Sequence, residues 1–443
     1  MNRLIKVHTE NLQPGMYISQ LDRPWLDTPF LVQGFYVKNQ KDIDIIGKIC
    51  DFVYVNSSVT TKKITSKMST VSSAMGLSSG TTEFTVTSID ISAIKARADG
   101  KTKTTSKESG NGQDSLFPGK KIEPYTDDMK WKSEGPAAVE AFSILRLGLK
   151  DLLSRNQEGS PLELLKIKQA VEPMVDSVIR NPDACIWLAR MKKQDDYMYE
   201  HSLGTSIWAV AVGRQFGLPR TDLHSLAIGG LLLDIGKLRL DSDILNAPRH
   251  LTTKELKIMK KHVEVGVNLL KEGGMMNQDV LDMVAHHHER HNGDGYPQGL
   301  KGSQIPVFAR IAALVDCYDA ITSDRIYARA MAPSLAIKQI YDWKDVYFQA
   351  EIIEEFIQAI GIYPAGTLVE LSTGHVAIVV AASRSRRLRP ELMLILDGDK
   401  EPLDEIEMVD LSEVTQTEDG RPLDIVCSLE ANAYGIDLSS IEL

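Results

Sequence analysis

Cysteine is scarce in this 443-residue chain: Cys50, Cys185, Cys317 and Cys427 lie far apart, with no CxxC pair. That spacing argues against a disulfide framework or a structural zinc knot, and it fits a reducing compartment. Long apolar runs are missing too. No stretch approaches the ~18–20 apolar residues of a membrane-spanning helix. The opening MNRLIKVHTENLQPGM lacks the apolar core of a secretory signal. The expectation is a cytoplasmic protein with no membrane span. Positive charge is in deficit, with 50 Lys and Arg against 60 Asp and Glu and a formal net charge of −10. A protein that grips DNA or RNA by bulk charge is therefore not expected. What is present is apolar content, 43% hydrophobic against 25% charged. At ~100–200 residues per domain, this supports two or three domains with sizeable cores. Histidine is also rare, ten in all, yet eight fall between His201 and His291.

Composition divides the chain. Residues 1–56 carry short runs such as IKV, MYISQL, FLVQGFYV and DFVYV, punctuated by Pro14-Gly15, Pro24 and Pro29. They read as a small β-containing domain. Residues 57–114 are dominated by Ser, Thr, Lys and Gly and cannot bury enough apolar surface to offset their ordering entropy. This stretch reads as a flexible linker, with one transient strand around 84–91. Helical spacing then takes over across 136–360: one helix spans Pro136 to Ser154, and Pro161 opens another. From Tyr363 the strand signals TLVEL, HVAIVVAA and LMLIL return, making 361–443 a strand-rich segment. Since both ends are strand-rich, this tail is expected to pack on the N-terminal domain.

Within the histidine-rich region, polar groups stand where apolar ones are expected. Asp234 interrupts GGLLLDIGKL, and Asp316 interrupts RIAALVDCYDAI in the same way. A carboxylate in such a run costs several kcal/mol unless a cation or several donors meet it. His201 and His262 sit on amphipathic stretches, and His286, His287 and His288 end a helix before a Gly-rich turn, HNGDGYP. Taken singly, His201 or His262 is more often a satisfied core or surface histidine, and Asp234 a cap or a partner of Lys237. Jointly they suit a metal centre: imidazole and carboxylate ligands fit Fe, Mn, Zn, Co or Ni. Separate helices can project them into a bundle interior. A carboxylate can bridge two ions, an arrangement that activates water for attack on phosphorus.

These residues carry a resemblance. His201, Asp234-x-Gly236-Lys237, His262, HHERxxGxGYP at 287–297 and DxxDAxTSxRxY at 316–327 are similar to the HD-GYP branch of the HD metal-dependent phosphohydrolases. The match covers about 185–360, and residues 1–56 resemble the uncharacterised domain that often precedes HD-GYP. The implied fold is multidomain: an all-α HD-type helical bundle flanked by the small β-containing N-terminal domain and the short strand-rich C-terminal segment. The resemblance implies a phosphodiesterase acting on cyclic di-GMP or 3',3'-cyclic GMP-AMP in bacterial signalling, with two divalent transition metals, iron or manganese. It places His201, Asp234 and Asp316 at one metal, with Asp234 bridging to a second held by His262, His287 and His288. Asp234 and Lys237 would be catalytic, Lys237 neutralising phosphate or assisting the leaving group. Arg290, Gly293, Gly295, Tyr296 and Pro297 would line the substrate side, with Arg325, Tyr327 and Arg329 near the dinucleotide. Glu289 would be either a helix-end carboxylate or, in a functional role, one that orients a ligand histidine, and His291 would face solvent.

The chain departs from the family at its namesake: Leu233 stands where the HD pair has histidine, and Asn292 replaces an aspartate of the GYP loop. Leucine cannot ligate metal. Either water fills the vacated position and a binuclear site works, or only one metal binds. In the second case the fold serves as an effector that binds a cyclic dinucleotide or a signalling-protein partner without hydrolysis. A third class, nucleotide phosphohydrolysis of the wider HD type, is opposed by the GYP loop.

Overall fold

The computed structural model describes residues 4–21, 35–37, 40–48, 50–56, 116–157, 160–191, 197–245, 247, 249, 251–324, 329–383, 386 and 388–438. The linker expected at 57–114, its strand at 84–91, Arg325 and Tyr327 lie outside them. The chain divides into two units, Met1–Ile89 with Ala247–Lys257 and Asp90–Asn246 with Ile258–Leu443.

The N-terminal unit contains a four-stranded sheet in the order β1-β4-β2-β3, formed by β1 (Leu4–His8), β2 (Tyr17–Leu21), β3 (Phe35–Tyr36) and β4 (Phe52–Asn56). Alternation sets its register: Val7 faces Val53 and Ile5 faces Val55 across the antiparallel β1–β4 pair. Val53 and Val55 are fully buried, with Phe52 and Tyr54 half-buried on the opposite side. One helix, α1 (Gln40–Gly47), was not expected; it buries Ile46 in this small core.

The second unit is helical for most of its length. Its first helix, α2 (Trp131–Gln157), begins five residues ahead of Pro136. The next, α3 (Leu164–Arg180), begins after Pro161, because the chain first buries Leu162. Ile167, Ala170, Val171, Met174, Val175 and Val178 give α3 its buried stripe. At α4 (Pro182–Arg190), Asn181 accepts from the Asp183 amide at 2.9 Å and Pro182 occupies the first turn, a strong start signal. Two helices, α5 (Tyr197–Gln215) and α6 (Arg220–Leu232), are buried nearly all round, which makes them the centre of the bundle. Around them lie α7 (His262–Glu272), α8 (Gln278–His286), α9 (Val307–Ile321), α10 (Pro333–Asp342) and α11 (Ala350–Ile360). Among the described residues, no helix is long and apolar enough to cross a membrane.

The tail forms its own antiparallel sheet, β8-β7-β6-β5-β9, from β5 (Leu368–Leu371), β6 (Val376–Ala381), β7 (Glu391–Leu396), β8 (Pro402–Asp410) and β9 (Ile425–Ser428). The expected packing partner needs correction. The apolar residues of β5, β6 and β7 join the same core cluster as α3 to α11. Polar clasps fix the attachment: the Ala382 amide donates to Asp183 at 3.1 Å and the Trp131 indole to Glu391 at 3.1 Å. Val376 to Val380 are all buried in β6, against which α4 packs.

Candidate metal centre

The centre is built where α6 ends. Leu233 is the last residue in helical geometry. Asp234 then turns the chain into a 3-10 turn, Ile235–Arg239, which its side chain does not cap. The carboxylate is thus free to point elsewhere. Gly236 lets the turn lie directly on α7: a Cβ there would fall 1.9 Å from the His262 carbonyl oxygen and 2.5 Å from the Gly266 nitrogen. This close approach brings Asp234 to His262. Gly236→Ala is expected to push the turn off α7, cost about 1–3 kcal/mol and weaken metal uptake around His262. Urea unfolding and metal analysis would check both.

Two imidazoles meet Asp234 from one side. His262 Nδ1 lies 2.7 Å from the Met259 carbonyl, and His287 Nδ1 lies 3.0 Å from that of Val284. Each Nδ1 must therefore carry its proton and donate it, leaving a bare lone pair on each Nε2. These two Nε2 atoms face each other at 3.4 Å, and Asp234 Oδ1 lies 3.3 Å from the first and 3.9 Å from the second. Oδ1 itself is buried and, among the described residues, accepts no hydrogen bond. His288 completes the group, so that ligand atoms from Asp234, His262, His287 and His288 all lie within 4.8 Å of one another. Lone pairs and a carboxylate oxygen converging without a donor fit a cation and little else.

A second group shares the same carboxylate. His201 Nε2 is 3.0 Å from Asp316 Oδ1 and 3.7 Å from Asp234 Oδ2, and Lys237 Nζ is 2.5 Å from that Oδ2. His201, Asp234 and Asp316 again place one ligand atom each within 4.8 Å. Asp234 thus turns one oxygen to each group.

Protonation suits ligation at His262, His287 and His288, whereas His201 must give up a proton to a metal. Burial pushes His262 down to about 4 and also lowers His287 and His288. Burial would raise Asp234, but the Lys237 ammonium and the surrounding imidazoles hold it well below the ordinary carboxylate range. Burial likewise opposes charge on His201, yet its bonds to Asp316 and Asp319 prevail and raise it to about 9. Neutral imidazoles and ionised carboxylates are the forms that bind divalent metals.

Family models match three stretches of the chain. An HD domain model matches residues 183–352, a domain of unknown function 4–107, and a KOW domain associated with HD domain 368–417. A cyclic di-GMP phosphodiesterase of Pseudomonas aeruginosa is 34% identical over 261 residues, covering 59% of this chain and 63% of its own. A 3'3'-cGAMP-specific phosphodiesterase of Vibrio cholerae is 28% identical over 159 residues, covering 36% of this chain and 30% of its own. The chain carries an HD domain and is similar to HD-GYP phosphodiesterases. The chain spans less than two thirds of the length of those relatives. Among solved structures, an HDG"Y"P protein from Bdellovibrio bacteriovorus aligns over 80% of this chain and 98% of its own, at 13% identity and a TM-score of 0.42.

The GYP loop departs from the sequence-based assignments in two places. Glu289 does not orient a histidine. It is buried and accepts from the Gln298 amide at 2.7 Å and the Leu300 amide at 3.0 Å, so it holds the loop itself. His291 does not face solvent freely: it is half-buried, and its enclosed Nδ1 has no hydrogen-bond partner among the described residues. Gly295 packs against the helix end, where a Cβ would lie 2.4 Å from the Arg290 nitrogen and the Glu289 Cα. That fold-back stacks the Tyr296 ring on His288, with centroids 4.6 Å apart. Gly293 supplies a turn at φ 89°, and Pro297 is exposed beyond it. The Arg290 guanidinium donates to the His287 and Glu289 carbonyls and lies over Phe348, while Arg329 is exposed.

Leu233 is 1% exposed and belongs to the main core cluster of the helical unit. Sequence reading gave Asp319 no role, yet its Oδ2 lies 2.7 Å from His201 Nδ1. The available signal was a second carboxylate one helical turn after Asp316 in the same apolar run.

Proposed function

We propose that this chain is a metal-dependent phosphodiesterase acting on a cyclic dinucleotide, cyclic di-GMP or 3',3'-cyclic GMP-AMP, in bacterial signalling. The observation that carries the reading is Asp234, whose two carboxylate oxygens each face a separate group of metal-ligating side chains. The HD domain match and the names of the HD-GYP-like relatives support the substrate class.

On this reading His262, His287, His288 and Asp234 Oδ1 would hold one ion, and His201, Asp316 and Asp234 Oδ2 the other, iron or manganese in each. Such a pair, when bound, supplies a nucleophile at neutral pH and neutralises charge on the phosphate. The residues around it do the rest. Lys237 keeps a positive charge beside Asp234 Oδ2, where an anionic phosphate would otherwise meet a bare carboxylate. Glu289 fixes the loop that carries Tyr296 onto His288, setting one wall of the site. Arg290 and Arg329, with Arg325 and Tyr327, would engage phosphate or guanine edges, for which the arginine fork is suited.

Leu233 favours a second reading, an effector that binds the dinucleotide or a partner protein and does not cut it. Protein loaded with manganese, and separately with iron, is incubated with each dinucleotide while binding is followed by calorimetry. The expected result is a linear dinucleotide and then mononucleotides on chromatography. Binding without turnover under either metal would sink the first reading in favour of the second; absence of both would sink the two together.

A further inference from the structure

Asp319 and Trp208 stand outside both ligand groups, yet they bear directly on one ligand. Trp208 lies seven residues after His201, two turns along α5, so the two side chains share a face. Asp319 lies three residues after Asp316, one turn along α9. The two helices pack with these faces together. Asp319 Oδ2 meets His201 Nδ1 at 2.7 Å, and Asp319 Oδ1 accepts from the Trp208 indole nitrogen at 3.0 Å. Ser323 Oγ lies 3.5 Å from the same Oδ2. His201, Trp208 and Asp319 are each at least nine-tenths buried, and Trp208 is wedged edge-to-face against Tyr318. With both oxygens engaged, the Asp319 carboxylate has a fixed rotation.

We infer that Asp319, locked by the Trp208 indole, is a positioning residue for His201: it holds the Nδ1 proton so that the Nε2 lone pair faces Asp316 and Asp234. The consequence reaches beyond orientation. The indole of Trp208 is two hydrogen bonds from the histidine, through the Asp319 carboxylate, so its emission reports a cation arriving at His201. The arrangement matters more here than in a complete site. With Leu233 unable to ligate, this group has three protein ligands, and the loss of one ligand's orientation falls on fewer others. Outer partners of ligand histidines are typically worth about 10–100-fold in metal affinity.

The inference rests on the metal-centre reading, and zinc chloride titration of the full chain separates the two. Zinc has a filled d shell and does not quench by itself. In the wild type, tryptophan emission is expected to shift as zinc loads, and Trp208→Phe and His201→Ala should each abolish the shift. Asp319→Asn should lose about 10–100-fold affinity for the ion at His201. The ion at His262, His287 and His288 should stay bound, as counted by atomic emission after dialysis. Asp319→Glu should restore part of the affinity. A merely structural Asp319 would lower Tm and leave zinc stoichiometry and the emission shift intact, which would overturn the inference. A wild type that takes up no zinc would overturn the metal-centre reading and this inference with it.

Discussion

Asp234→Ala is expected to empty both ligand groups at once and to lower dinucleotide turnover by ~10³-fold or more, the scale of losing a principal electrostatic element of an active site. The reason is the sharing of one carboxylate: Oδ1 serves His262 and His287, and Oδ2 serves His201 and Lys237. Any other ligand belongs to a single group. His287→Ala should therefore remove one ion and leave the other, whereas Asp234→Ala should remove both. The fold should survive, because Lys237 is 24% exposed and can turn to water when its partner is removed. Metal content by atomic emission, read beside circular dichroism, checks this. Retention of one full equivalent of metal by Asp234→Ala would refute the shared-carboxylate geometry.

The parts of this centre differ in how far sequence could reach them. Asp234 and Asp316 were legible because a carboxylate among leucines, valines and alanines needs a partner, whatever the fold. His287 and His288 were legible from the block they share with the GYP loop. Asp319 sits in the same apolar helix as Asp316 and is just as costly to bury, but its partners are 118 and 111 residues away. Nothing local distinguishes an aspartate that ligates from one that orients a ligand. Glu289 was misassigned for a related reason. Its acceptors' needs are met by the Gln298 and Leu300 amides, and backbone donors leave no mark in side-chain chemistry. The tail strands were legible as strands from their β-branched runs. Their packing partner was not, because Val376 to Val380 reads as buried on both faces without naming what covers it.

Leu233→His should raise both metal content and activity, at a cost in stability that metal repays. Leu233 is 1% exposed in the main core, so replacing it with imidazole in the metal-free protein forfeits about 2–3 kcal/mol of apolar burial. It also adds a polar ring that needs partners. With metal present the balance changes. The group of His201, Asp234 and Asp316 gains a fourth protein ligand at the position where the HD pair carries histidine. Binding to the native state alone then stabilises by RT ln(1 + [M]/Kd), about 2.7 kcal/mol at a hundredfold excess over Kd. The variant should therefore melt below the wild type without metal and respond more steeply to added manganese. It should bind one more equivalent if the wild type holds one, and turn over cyclic dinucleotide at least ~10-fold faster, as one restored positioning ligand warrants. Melting curves across a manganese series, with turnover on the same samples, separate the outcomes. Lower activity at unchanged stoichiometry would mean that the first ion already sits on three protein ligands with water completing its shell. Leu233 would then be part of a working site, chosen for its packing against the bundle core.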